Sequence, residues 1–129
     1  MPAAEPAELV ADSPAREDAA DRLASALERI TAARRALTQD IATRHGLSAL
    51  QVEIVRQLAT VRASGSTSLA AALGVTVPTI SDAVGSLRRK GLIGHVQDVD
   101  ARARTVELTS AGVSTYEEIE NELAPFRRA

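Results

Sequence analysis

Two short helical segments meet at Leu73-Gly74-Val75-Thr76, and this junction constrains the fold more than any other feature of the 129-residue chain. Glycine permits the left-handed backbone that stops a helix abruptly. Thr76 supplies an N-cap two positions later. The segment that follows carries Ile80, Val84 and Leu87 at i, i+4 and i+7, an apolar stripe on one helical face. The segment before it spans Leu69 to Leu73 and starts at a cap on Ser66 or Thr67. Val75 is placed to plug the angle between them. Two helices in this order, joined this tightly, predict a helix–turn–helix unit.

The flanking patterns extend the reading. Leu23, Leu27, Ile30, Leu37 and Ile41, with Arg34 filling the gap, recur at spacings of 4, 3, 4, 3 and 4. Asp12 or Ser13 before Pro14 is a start signal and Gly46 a stop, so a single long helix is expected over 15–46. Such a helix reaches about 45 Å, more than a small body needs for its own packing. Ser48-Ala-Leu-Gln51 is a capping-box signature ahead of Leu50, Ile54, Val55 and Leu58, and Ser64-Gly65-Ser66 ends that helix. After Gly91 the period changes. Ile93-Gly-His-Val96 and Thr105-Val-Glu-Leu108 read as two short strands around a polar tip, Asp98 to Arg104. Thr109 or Ser110 caps a last helix with Val113, Tyr116, Ile119 and Leu123 inward, which Pro125 ends. The fold class is mainly α with a small β-hairpin wing. The expected organisation is a disordered acidic tail at 1–14, the long helix at 15–46, a winged helix–turn–helix domain at 47–108 and a C-terminal helix at 109–129.

Composition narrows the function. Twenty-five alanines but only two aromatic residues, Tyr116 and Phe126, give an aliphatic core of small side chains. Base-stacking modules for single-stranded nucleic acid need aromatic faces that this chain lacks. The absence of cysteine excludes disulfides, thiolate zinc sites and thiol redox switching. Net charge is -2, with -4 of it in residues 1–22, which leaves a mildly basic body. No apolar run approaches the roughly 18 residues of a membrane span, and the N-terminus has no secretory pattern. A cytoplasmic protein is expected. His45 is read as a capping cation at a helix end, His95 as an exposed strand residue, and Glu117, Glu118, Glu120 and Glu122 as a solvated helix face. No phosphate loop, nucleophile elbow or metal-ligand spacing is present, so neither an enzyme nor a cofactor is expected.

The stretches Leu73-Gly-Val-Thr-Val-Pro-Thr-Ile-Ser81, Leu87-Arg-Arg-Lys-Gly-Leu-Ile93, Asp100-Ala-Arg102 and Val106-Glu-Leu-Thr-Ser-Ala-Gly112 resemble the MarR family of winged-helix transcriptional regulators. The resemblance covers residues 47–112 well and the flanking helices loosely. It implies a homodimeric repressor on double-stranded DNA, with a recognition helix in the major groove and a wing in the minor groove. It also implies a small-molecule effector, of unknown identity, held between the dimer helices and the DNA-binding lobe. Here such a pocket would have aliphatic walls and Tyr116 as its one aromatic side chain.

On the recognition helix, Pro78, Asp82, Gly85 and Arg89 lie opposite Ile80, with Thr79, Ser81 and Ser86 on the flanks. The expected DNA-contacting set is Thr67, Ser68, Thr76, Val77, Pro78, Thr79, Ser81, Asp82, Ser86, Arg88, Arg89, Lys90, Arg102 and Arg104. Hydroxyls suit phosphates or base edges, Val77 and Pro78 suit thymine methyls, and Arg102 suits a narrow minor groove. For Arg88, Arg89 and Lys90 the competing reading is a solvated helix end. For Asp100 and Arg102 it is a hairpin salt bridge. The expected dimer contacts are Leu23, Leu27, Ile30, Leu37, Ile41, Tyr116, Ile119 and Leu123. The sequence departs from the family pattern at Asp82 and Gly85, and positive charge is thin. A winged-helix protein-interaction module with weak or no DNA binding is therefore the alternative.

Overall fold

A computed structural model describes residues 13–96 and 105–127. The elements in order are α1 (Ser13–Arg44), α2 (Ala49–Val61), β1 (Ala63–Gly65), α3 (Ser66–Leu73), α4 (Val77–Arg89), β2 (Ile93–His95), β3 (Thr105–Leu108) and α5 (Ser110–Arg127). The chain forms two units that divide between Leu37 and Thr38. Most of the expected acidic tail and the expected wing tip, including Asp100, Arg102 and Arg104, lie outside the described residues. Ser13 and Pro14, placed in the tail by sequence, already belong to α1.

In the first unit, residues 14–37 are helical and present mostly exposed side chains. Leu23, Leu27 and Ile30 are all more than half exposed, at 61%, 54% and 56%.

The second unit holds the core. Ile54, Val55 and Leu58 of α2, Leu69 of α3, Ile80 and Leu87 of α4, Ile93 of β2 and Ile119 of α5 are buried. Apart from Gln51, the buried side chains are aliphatic; Tyr116 is half-buried and Phe126 exposed. Ile41 and Ile119 were expected at a dimer contact, but each packs into this core, so neither offers surface to a partner. Val113, expected inward on α5, is 43% exposed. Of the three alanines of α3, only Ala70 is buried.

Local signals explain most element ends. The Ser48 Oγ accepts from the Gln51 N–H at 3.1 Å, and the Ser48 N–H donates to Gln51 Oε1 at 2.9 Å, which completes the capping box. Gly74 sits at φ +69 and ends α3 with its N–H directed to the Ala70 carbonyl. No heavy atom outside its chain neighbours would crowd a Cβ there, so only the backbone conformation resists substitution. Gly74→Ala is expected to cost about 1–2 kcal/mol in urea denaturation, with native helix content retained. No measurable loss would mean that the turn does not depend on this residue.

Three expectations need correction. The sheet has three antiparallel strands in the order β1-β3-β2, not two. Ala63, Ser64 and Gly65 pair with Glu107, Val106 and Thr105, along the edge that the hairpin leaves open. Consequently Gly65, rather than Ser66 or Thr67, is the N-cap of α3, and no side chain caps it. Finally, α5 passes through Pro125 to Arg127. Proline removes one amide donor, but the Arg127 guanidinium pairs with Glu120 two turns below and holds the last turn.

Candidate nucleic-acid interface

The sharp elbow at Gly74-Val75 turns the chain through 111° between α3 and α4. Thr76 caps α4 by accepting from the Thr79 N–H at 3.3 Å. The two threonine hydroxyls also bond to each other at 2.8 Å. One face of α4, built from Ile80, Ala83, Val84 and Leu87, is buried. The opposite face is left outside: Val77, Pro78, Thr79, Ser81, Asp82, Arg88 and Arg89 are exposed, and Ser86 is half-buried. Thr67 and Ser68 at the start of α3 and Thr76 at the elbow are exposed as well.

The basic end of α4 is more structured than its sequence suggested. Lys90 donates from Nζ to the Gly46 carbonyl at 2.5 Å, so its ammonium ties the end of α4 to the α1–α2 turn. Gly85 has an Arg89 guanidinium nitrogen 3.5 Å from where a Cβ would stand, so Arg89 folds back over the bare backbone. The α4 C-terminus is sealed by Leu92 N–H donating to Leu87 O at 3.0 Å and Gly91 N–H to Arg88 O at 2.9 Å.

Behind α4, β2 and β3 form the stem of the wing. Ile93, Gly94 and His95 pair with Leu108, Glu107 and Val106. Val96 N–H donates to Thr105 O at 3.0 Å, so both ends of the segment 97–104 are fastened. His95 is exposed on this stem.

The acidic face of α5 is not simply solvated. His45 Nε2 lies 3.2 Å from Glu122 Oε1, and His45 Nδ1 lies 3.7 Å from Glu118 Oε2. Glu120 accepts from Arg56 Nε at 2.9 Å and pairs with Arg127. The links of α5 to His45 and Arg56 are not legible in the sequence because they join residues 64 to 77 positions apart. Among the described residues no group of three or more His, Asp or Glu side chains is arranged to hold a metal ion. No single described helix is long and apolar enough to cross a membrane. A cleft of about 340 Å³ opens between α2, β3 and α5, walled by Leu58, Ala59, Leu108, Val113 and Tyr116, with Arg62, Glu107 and Glu117 around it.

No protein-family model matches the sequence, and no curated protein matches it. Solved structures do. A MarR family transcription regulator superposes with a TM-score of 0.73 at 24% identity, over 84% of this chain and 75% of its own. This is the MarR-type winged-helix fold. A MepR mutant from S. aureus, bound to an oligodeoxyribonucleotide, gives a TM-score of 0.67 at 23% identity, over 81% of this chain and 78% of its own. A mutant MarR from E. coli, complexed with operator DNA, gives 0.66 at 17% identity, over 78% and 73%. In the MarR-type fold, α3 and α4 form the helix–turn–helix and β2 and β3 the wing stem. Of the residues expected at the dimer contact, Leu23, Leu27 and Ile30 remain exposed and Leu37, Tyr116 and Leu123 are half-buried.

Proposed function

We propose that this chain is a sequence-specific, double-stranded DNA-binding transcriptional regulator, a homodimeric repressor of the MarR type and not an enzyme. The observation that carries the reading is the outward face of α4. It presents apolar groups and hydroxyls at its N-terminal end and Arg88 and Arg89 at its C-terminal end, on a helix anchored by a fully buried stripe. The DNA-bound MepR and MarR mutants of the same fold support it. In this reading the N-terminal turns of α4 enter the major groove. Val77 and Pro78 meet thymine methyls, Ser81 bonds a base edge, and Asp82 accepts from a cytosine amino group. Arg88 and Arg89 meet phosphates. Lys90 contributes less, because its ammonium is already bonded to Gly46 O. Arg102 and Arg104 reach the minor groove from the wing tip. Two-fold symmetry then sets half-sites about one helical turn, roughly 10 bp, apart. A small-molecule effector belongs to the same proposal, and the cleft beside Tyr116 is where it would bind.

A salt-titrated duplex-binding measurement tests this. Affinity should fall steeply with salt. Arg88→Ala should weaken binding about equally across sequences and reduce the log–log salt slope by about 1. Arg102→Ala should also weaken binding, whereas Ser81→Ala should change sequence preference. Exposed Asp82 at the centre of the face favours a second reading, a winged-helix protein-interaction module. Absence of duplex binding by folded protein at low salt would overturn the first reading, and a protein partner recovered by co-purification would then establish the second.

A further inference from the structure

The end of α4 is fastened to a point that is itself fastened. Gly46 follows α1 in the left-handed conformation, at φ +69. Its N–H donates to Thr43 O at 3.1 Å, and the Leu47 N–H donates to Ala42 O at 2.8 Å. These bonds fix the backbone of the turn, and the Gly46 carbonyl accepts from Lys90 Nζ. The residue before it carries a second fastening. The His45 side chain is only 13% exposed and lies between two carboxylates of α5, Glu118 and Glu122. The other oxygen of Glu122, Oε2, is buried with no hydrogen-bond partner and lies 3.6 Å from an Arg44 guanidinium nitrogen. The bond to His45 is therefore what orients this carboxylate. Two adjacent residues of one turn thus receive α5 on one side and α4 on the other.

We propose that Lys90 and His45 are positioning residues for α4. His45, clamped by Glu118 and Glu122, sets the place of the Gly46 carbonyl, and Lys90 holds the C-terminal end of the recognition helix to that carbonyl. The inference rests on the DNA-binding reading above and gives Lys90 a role other than a phosphate contact. Helical geometry agrees. At 100° per residue Lys90 falls roughly 80° round α4 from Ile80, beside the buried stripe and away from the centre of the outward face. Electrostatics agrees as well. An ammonium that follows Arg88 and Arg89 gains by turning from these like charges to a carbonyl, in a charge-assisted hydrogen bond. A displacement of α5 then reaches the DNA-reading helix through side chains that touch no DNA.

The two roles of a basic residue separate in a salt titration. A phosphate contact, once removed, lowers the log–log salt slope by about 1; a positioning residue lowers affinity and leaves the slope unchanged. The probe is the best-binding duplex selected from a randomised pool. Lys90→Met, which keeps the stem and removes the charge, should raise the dissociation constant about fivefold at constant slope. His45→Ala should raise it by a similar factor in the parent and add little in the Lys90→Met background, because both act through the same carbonyl. Glu122→Gln, which keeps the shape of the clamp, should give the same pattern at smaller size. A slope reduced by about 1 in Lys90→Met, or additive effects of the two substitutions, would overturn the proposal.

Hydrogen exchange on the free protein tests the positioning without DNA. The amides of Lys90, Gly91 and Leu92 close the end of α4 by donating to Ser86 O, Arg88 O and Leu87 O. Their exchange should quicken several-fold in His45→Ala and in Lys90→Met, relative to the Val55 and Leu58 amides in the core of α2, and no further in the double variant. Exchange at these three amides that ignores His45→Ala would overturn the proposal even if duplex binding is tight, and the regulator reading would stand. Exchange that responds as expected in a protein that selects no duplex would keep the positioning and remove the regulator.

Discussion

Gly112→Ala is expected to leave most of the protein unfolded under conditions where the parent chain is native. Gly112 is buried in the first turn of α5. A Cβ at this position would collide with the Leu92 carbonyl oxygen and stand 3.1 Å from its carbon and 3.2 Å from the Leu108 Cβ. The collision is with backbone, which cannot rotate away. That same carbonyl accepts from the Thr109 N–H at 3.0 Å. Thr109 in turn donates through Oγ1 to Gly91 O at 2.6 Å and accepts from the Gly112 N–H at 3.1 Å. One added methyl group would therefore have to prise apart the junction where α4, β2 and α5 meet. The expected loss is about 3 kcal/mol or more, a large part of a small domain's stability. Chemical denaturation measures it, with Ser110→Ala as the exposed neighbour that should change stability by less than about 0.5 kcal/mol. A Gly112→Ala protein within about 1 kcal/mol of the parent would mean that α5 can pivot freely on the wing, against the overpacking argument.

The second large effect is expected for Leu87→Ala. Leu87 is fully buried on the inner face of α4, and its carbonyl accepts the N–H of Leu92 that closes the helix. Removing three carbons from a buried aliphatic core costs about 2–5 kcal/mol, and the upper half applies where neighbours cannot collapse into the gap. Here the neighbours sit on rigid helices. Stability and duplex affinity should fall together, because the outward face of α4 is held in place mainly by its buried inward one. Val77→Ala makes the contrast: at 41% exposure it should barely change stability and should act on DNA affinity alone. If Leu87→Ala lost affinity while keeping full stability, Leu87 would have to act outside the core.

How much of this was legible in the chain depends on the range of the interactions. The elbow was legible because its causes are local: a glycine, a threonine cap and a stripe, all within sixteen residues. The capping box at Ser48 was legible for the same reason. β1 was not. Ala63-Ser-Gly65 has no β-branched or aromatic residue, and it is a strand only because the open edge of β3 lies beside it. The continuation of α5 past Pro125 depends on an ion pair that local rules do not include. The seam of α1 shows both sides. Its heptad-like spacing was visible, but spacing alone could not assign Ile41 to the core of the second unit while leaving Leu27 in solvent. On α4, the outward set was legible from helical geometry. The engagement of Lys90 and Arg89 with Gly46 and Gly85 was not, because it requires knowing which backbone lies nearby.

The lysine bonded to Gly46 has a practical chemical consequence. It is the only lysine in the chain; the other basic residues are arginines. An amine-directed acylating reagent therefore meets a single side-chain target, at the end of α4. Its labelling rate reports how often the ammonium leaves the Gly46 carbonyl. The molecule thus carries its own single-site reporter on the fastening between α4 and the turn that follows α1, with no engineered residue required.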